Sequence, residues 1–183
     1  MTCIAGLVED GKVYIGGDSA GVGGYDLSIR ADEKVFENAG FVMGFTTSFR
    51  MGQLLRYSFV PPKRHPDTNL YKYMVTDFID EVRRCLKAGG YAGRKDEVEL
   101  GGNYLVGYNG RLFQIVSDYQ VGERSCGFDA VGCGESYALG CMHQIQKKDN
   151  AHASVPQDKI TAALECAEQF SAGVRGPFKV VSV

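Results

Sequence analysis

A chain of 183 residues with 44% hydrophobic and 23% charged residues sits near globular averages and is long enough to bury a substantial core. Its formal net charge of −2 offers no basic surface to nucleic acid or anionic lipid, and no apolar run approaches the ~18 residues that span a bilayer. These features exclude a nucleic-acid binder and a membrane-spanning protein, and they predict a single domain over residues 1–183.

Residues 2–9 read as a strand, Asp10-Gly11 as a hairpin turn and residues 12–17 as the returning strand. A second pair is predicted over 27–36 and 40–46, turned by Glu37-Asn38-Ala39-Gly40. Ser48 is placed to cap a short helix through Met51, Leu54 and Leu55 that ends before Pro61-Pro62. Residues 63–67 are a polar break, and the basic run Lys63-Arg64-His65 reads as a solvated loop. A long helix is predicted from Thr68 to about Leu86, because Leu70, Met74, Phe78, Ile79, Val82 and Leu86 recur at three and four.

A glycine- and charge-rich loop over 87–101 follows, then strands at 103–108 and 111–117 joined by Asn109-Gly110. A shorter strand at 128–132 leads into helices over 135–147 and 157–170, separated by a break at 148–156. Gly176-Pro177 precedes a final strand. Strands, two helices, strands, two helices is α+β ordering. Two antiparallel sheets face to face, with helix pairs outside, would bury every periodic face. Twenty-four glycines, well above the usual ~7%, match a fold with many tight turns.

The cysteines Cys3, Cys85, Cys126, Cys133, Cys141 and Cys166 include no C-x-x-C, and no histidine lies at zinc-finger spacing. No metal and no cofactor are expected. Residues 1–9 carry neither a basic n-region nor a cleavage site, so reduced thiols in a cytoplasmic protein are expected. Cys3 reads as an alternating strand residue facing the core.

The chemistry concentrates at three polar residues. Thr2 becomes the N-terminal residue once Met1 is removed, and it then carries a hydroxyl nucleophile and a base, its own α-amine. Asp18 follows sixteen residues later, and Lys34 sixteen after that. A nearby ammonium lowers the amine pKa by like-charge repulsion, and a carboxylate keeps that ammonium charged and oriented. While Met1 remains, the Thr2 nitrogen is an amide and cannot act as a base. Taken singly, Asp18 reads as a turn residue or helix cap, Lys34 as a solvated charge and Thr2 as a small residue after an initiator methionine.

Together, Thr2-Cys-Ile-Ala-Gly6, Gly11-Lys-Val-Tyr-Ile-Gly-Gly-Asp18 and Lys34-Val35 resemble the bacterial HslV peptidase and the proteasome β subunits. The resemblance implies the four-layer αββα sandwich of N-terminal nucleophile hydrolases and a catalytic set of Thr2, Asp18 and Lys34. It is strongest over 2–56 and returns at Gly132-Cys133-Gly134, where the family has Gly-Ser-Gly. It therefore implies a supporting role for Cys133 and Gly134, with a thiol in place of a hydroxyl. Glu168-Gln-Phe-Ser171 corresponds to the family's Asp-x-x-Ser, with the longer glutamate in place of aspartate, and the resemblance so implies Glu168 and Ser171 as supporting residues. The family's oxyanion glycine corresponds to Thr47 or Ser48, whose backbone N–H survives the substitution.

The implied function is a threonine-type peptidase acting on peptide or unfolded-protein substrates inside a homo-oligomeric ring. The chain has no P-loop, so an unfolding ATPase would be a separate partner. Two other readings stay open: an inactive ring subunit, and an amidase of the same fold acting on a non-peptide amide. Cys133 with His143 is better read as a buried thiol and a surface histidine than as a Cys-His hydrolase, and Gly132-Cys-Gly-Glu-Ser136 lacks the G-x-S-x-G order of a nucleophile elbow.

Overall fold

The computed structural model describes residues 1–91, 93–95, 98–148 and 155–183. Strand β1 (Cys3–Glu9) turns at Asp10-Gly11 into β2 (Lys12–Gly17), and a small hairpin follows, β3 (Ala20–Gly23) with β4 (Asp26–Ile29). Then come β5 (Val35–Asn38), β6 (Phe41–Phe45) and helix α1 (Phe49–Tyr57). Helix α2 (Leu70–Tyr73) continues through a π-helical turn at Met74–Phe78 into α3 (Ile79–Ala88). A second small hairpin, β7 (Gly93–Lys95) with β8 (Val98–Leu100), precedes β9 (Tyr104–Tyr108), β10 (Arg111–Ile115), β11 (Val121–Gly122) and β12 (Phe128–Gly132). The chain finishes with α4 (Glu135–Lys148), α5 (Pro156–Phe170) and β13 (Lys179–Ser182).

Three hairpins turn on consecutive left-handed residues: Asp10-Gly11 (φ 51°, 74°), Ala39-Gly40 (48°, 83°) and Asn109-Gly110 (50°, 73°). Two such residues make the type I′ turn, whose twist matches that of the flanking strands. The strands assemble into two antiparallel sheets, ordered β12-β1-β2-β13 and β11-β10-β9-β6-β5.

Strand alternation then builds three apolar layers. Ile4, Ile15, Val42 and Leu105 fill the space between the sheets. Cys3, Ala5, Leu7 and Ala130 turn the other way and pack on Ala138, Ala163, Leu164 and Ala167 of α4 and α5. Met43, Tyr104 and Phe113 of the second sheet pack on Met51 and Leu55 of α1, on Phe78 and on Leu86 of α3. The result is a helix–sheet–sheet–helix sandwich.

Four local expectations are corrected. The strand expected over 27–36 is interrupted: β4 pairs with β3, and the chain leaves the sheet at Arg30, whose guanidinium grips Asp32 (2.7 and 2.8 Å), before rejoining at β5. The long helix starts at Leu70, because Asn69 caps it by accepting from Lys72 N–H (3.1 Å). Within it Thr76 Oγ1 donates to the Lys72 carbonyl (2.8 Å), a back-bond of the kind that bends helices, inside the wider π turn. The expected loop at 87–101 contains β7 and β8; Ala92, Asp96 and Glu97 lie outside the described residues, as do 149–154 of the break before α5. No described helix is long and apolar enough to cross a membrane.

The sheets approach closely at Gly44 of β6. A Cβ there would lie 2.5 Å from Ile4 Cγ2, 2.8 Å from Ile15 Cγ2 and 3.1 Å from Val35 Cγ1. Gly44→Ala is therefore expected to destabilise the fold by about 1–3 kcal/mol. Gly23→Ala, with nothing within 4 Å of the added carbon, should stay within about 0.5 kcal/mol of the parent. Urea unfolding of both variants reads the difference.

Candidate active site

One end of the sandwich gathers strand termini from both sheets. Thr2 immediately precedes β1, Asp18 immediately follows β2, and Lys34 immediately precedes β5. All three are buried, at 5%, 2% and 2% exposure. Lys34 Nζ donates to Thr2 Oγ1 at 2.9 Å and to the two carboxylate oxygens of Asp18 at 2.9 and 3.0 Å. Asp18 is itself held by backbone donors: Cys3 N–H reaches Oδ1 (2.9 Å) and Ala20 N–H reaches Oδ2 (2.8 Å). Burial pushes the Lys34 pKa below the usual lysine value, and the charge and hydrogen bonds of Asp18 work against that shift. The three residues that sequence reasoning set sixteen apart thus touch through a single ammonium.

The Thr2 nitrogen, an amide while Met1 is attached, donates to Cys133 Sγ at 3.3 Å, and the Thr2 hydroxyl donates to the Met1 carbonyl. Cys133 lies between β12 and α4 and is exposed, against the buried thiol expected, because the turn between the two elements faces solvent. It follows Gly132 at φ 104°, where a Cβ would collide with the Thr2 carbonyl. Ser171 Oγ donates to Cys133 Sγ at 3.2 Å, so the chain Ser171–Cys133–Thr2 is continuous. Gly134 sits beside Cys3 and Ala167 and carries no side chain to the site. Glu168 stands apart from the Ser171–Cys133 chain. Its carboxylate accepts from Gly176 N–H (3.0 Å), and the neighbouring Arg175 carbonyl accepts from Ser19 N–H (2.8 Å), so Glu168 braces the segment beside Asp18.

Cys3 faces the helix layer, as strand alternation predicts, and burial with the nearby Asp18 charge pushes its thiol up to about 12. His143 is exposed on α4, away from the sulfur contacts of Cys133. Among the described residues no group of three or more His, Cys, Asp or Glu could hold a metal ion.

Beside Thr2 opens a cleft of about 110 Å³, lined by Val22, Lys34, Phe45, Phe49 and the stretch Thr46-Thr47-Ser48. Ser48 N–H is used on the Thr46 carbonyl (2.6 Å), and its hydroxyl caps α1 by accepting from Met51 N–H (3.4 Å). Thr47 N–H has no partner among the described residues. Of the two expected oxyanion donors, Thr47 is the one with its N–H available. Its φ of 64° is a conformation that costs a β-branched residue on the order of 1–3 kcal/mol.

Val22, Phe45, Phe49 and Asn103 were not read from sequence. Val22 belongs to the hairpin that patterning missed, and the aromatic pair carried no polar signal. Arg30 stacks over Phe49 at 4.0 Å.

By sequence the chain matches no protein-family model and no curated protein. By structure it is similar to Thiobacillus denitrificans BPH, solved in complex with epoxomicin, at 20% identity and TM-score 0.78 over 100% of this chain and 98% of that one. HslV from Trypanosoma brucei matches at 14% identity and TM-score 0.68, over 99% of this chain and 98% of that one. The Gly-1 mutant of Anbu from Hyphomicrobium sp. strain MC1 matches at 15% identity and TM-score 0.64, over 99% of this chain and 80% of that one. At these identities the likeness is one of fold, and the fold is the proteasome-type N-terminal nucleophile hydrolase sandwich.

Removing one half of a buried ion pair strands the other. Asp18→Asn is expected to destabilise the protein by about 3–5 kcal/mol, and adding Lys34→Met should recover much of that loss by removing the orphaned charge. Denaturant unfolding of the single and double variants measures both effects.

Proposed function

We propose that this chain is a threonine-type N-terminal nucleophile hydrolase that cuts peptide bonds. The observation that carries the reading is the buried Lys34 ammonium, hydrogen-bonded on one side to Thr2 Oγ1 and on the other to both oxygens of Asp18. A lysine confined in this way stabilises a threonine alkoxide, and a surface lysine would not.

After Met1 leaves, the Thr2 nitrogen is a primary amine and serves as the base. Thr2 Oγ attacks the peptide carbonyl carbon while its proton passes to that amine. The ammonium of Lys34 stabilises the developing negative charge on Oγ, and Asp18 keeps the ammonium in place. The carbonyl oxygen becomes the oxyanion and accepts from Thr47 N–H. Collapse of the tetrahedral intermediate breaks the C–N bond, and the Thr2 ammonium gives its proton to the leaving nitrogen. A water molecule, deprotonated by the same amine, then attacks the ester and releases the acyl product with Thr2 restored.

The wider setting that we infer, with the likeness in fold as its support, is a ring of copies enclosing the site, unfolded polypeptide as substrate, a separate ATPase to supply it, and a cytoplasmic location. In support of a contact between copies, β4 exposes Leu27 and Ile29, with Tyr25 at its turn.

Intact mass after expression should read loss of Met1, and epoxomicin, the compound held by the T. denitrificans protein, should label Thr2. Thr2→Ala should abolish labelling and lower peptide hydrolysis by about a thousandfold or more. Hydrolysis that survives in Thr2→Ala sinks the assignment.

The pH profile has a defined sign. The Thr2 amine acts unprotonated, so the rate rises with pH through a pKa at or below the ordinary ~7.7–8.0. Lys34 acts protonated, so the rate falls as it titrates. Because burial holds Lys34 below its ordinary 10.5, the falling limb should lie below pH 10.5. A rate still rising beyond that pH removes Lys34 from the mechanism.

A further inference from the structure

Thr47 occupies a conformation that glycine would adopt freely and threonine resists. Its φ is 64°, and the 2.6 Å bond from Ser48 N–H to the Thr46 carbonyl closes a three-residue γ-turn around it. With a positive central φ that turn is rare and strained. Such a residue persists only where its surroundings over-determine it.

Two hydrogen bonds to Asn103 do so. Thr46 N–H donates to the Asn103 carbonyl at 3.0 Å, and Asn103 N–H donates back to Thr47 Oγ1 at 3.0 Å. Thr46 Oγ1 lies 3.2 Å from the same Thr47 oxygen. Of the two bonds to Asn103, the one to Thr47 involves a side chain, and the strained residue itself supplies it.

We propose that the Thr47 hydroxyl is a positioning group, pinning the γ-turn to Asn103 and so holding Thr47 N–H where the oxyanion of a peptide substrate develops. The inference rests on the peptidase reading and deepens it. A glycine reaches this turn through conformational freedom, whereas Thr47 reaches it through a side-chain bond. Valine at this position has the same shape and keeps the strain and the N–H. It lacks the pin and leaves Asn103 N–H without its acceptor. The oxyanion exists only in the transition state and the intermediate, so a misplaced donor lowers kcat and leaves KM nearly unchanged.

The test uses Thr47→Val, Thr47→Gly and Thr47→Ser in full-length protein whose free Thr2 is verified by intact mass. Thermal midpoints are recorded, and kcat and KM are measured on a fluorogenic peptide well below the lowest midpoint. Thr47→Val is expected to lose about tenfold to a hundredfold in kcat, with KM within about threefold of the parent. Thr47→Ser, which keeps the oxygen, and Thr47→Gly, which keeps the conformation without strain, should both recover kcat to within about threefold of the parent. A Thr47→Val kcat equal to the parent's overturns the proposal. So does a glycine variant as slow as valine, because the turn conformation is then not what the hydroxyl protects. A parent protein with free Thr2 that neither cleaves peptides nor takes up epoxomicin overturns the peptidase reading and this inference with it, an outcome distinct from an active parent matched by its valine variant.

Discussion

The site depends on one ammonium kept out of water. Transferring a lysine charge into a protein interior costs several kcal/mol, and the charge stays only where partners compensate. Lys34 has three within 3.0 Å: both oxygens of Asp18 and the hydroxyl of Thr2. Asp18 is anchored in turn by the main chain of Cys3 and Ala20. The cluster therefore ties the first sheet, which carries Thr2 and Asp18 at its strand ends, to the second, which receives Lys34 at the start of β5. The spacing between the sheets must match the reach of one lysine. Gly44 helps set that spacing, because Ile4 and Val35, which pack against its Cα side, stand next to β1's opening residue and directly after Lys34.

Around this centre, support comes from elements far away in sequence. Cys133 and Ser171 approach the Thr2 nitrogen from the ends of β12 and α5, and Glu168 steadies residues 175–176 beside Asp18. A sulfur in contact with the nitrogen is a weaker hydrogen-bond partner than a hydroxyl, so the Thr2 nitrogen rests on softer support. The Glu168 carboxylate acts on the main chain and leaves the Ser171–Cys133 pair to itself.

Much of this was legible in the sequence where a local rule and a global need agree. Asp10-Gly11 and Asn109-Gly110 name their turns because only certain residues accept two left-handed conformations in succession. The α4 and α5 helices lay within a residue or two of their expected ends. Thr2, Asp18 and Lys34 stood out as a set because their chemistry is complementary and their flanks resemble the HslV and proteasome β-subunit pattern, and the structure brings them into contact. The β3–β4 hairpin was not, since Ala20-Gly-Val-Gly has small residues and β4 is exposed at every position, so no apolar alternation marks it. The cleft walls Phe45 and Phe49 carry no polar signal, and their place beside Thr2 depends on how β6 meets α1. Asn103 acts on the site through its main chain, which side-chain reading cannot detect.

The two helix layers differ in grain. Between the first sheet and α4–α5 the buried contacts are made mainly by alanines and aliphatic residues, with the Phe128 ring buried among them, whereas the opposite layer is filled by Phe41, Phe59, Tyr73, Phe78, Tyr104 and Phe113. Close packing makes the errors these layers can absorb opposite in kind. On the alanine side an added carbon at Gly16 would meet Ile160 at 2.4 Å and one at Gly134 would meet Ala167 at 2.9 Å, and on the aromatic side a lost ring leaves a hole that neighbours close only in part. Neutral drift should therefore run in different directions on the two flanks of the same sandwich, with volume capped beside the first sheet and held up beside the second.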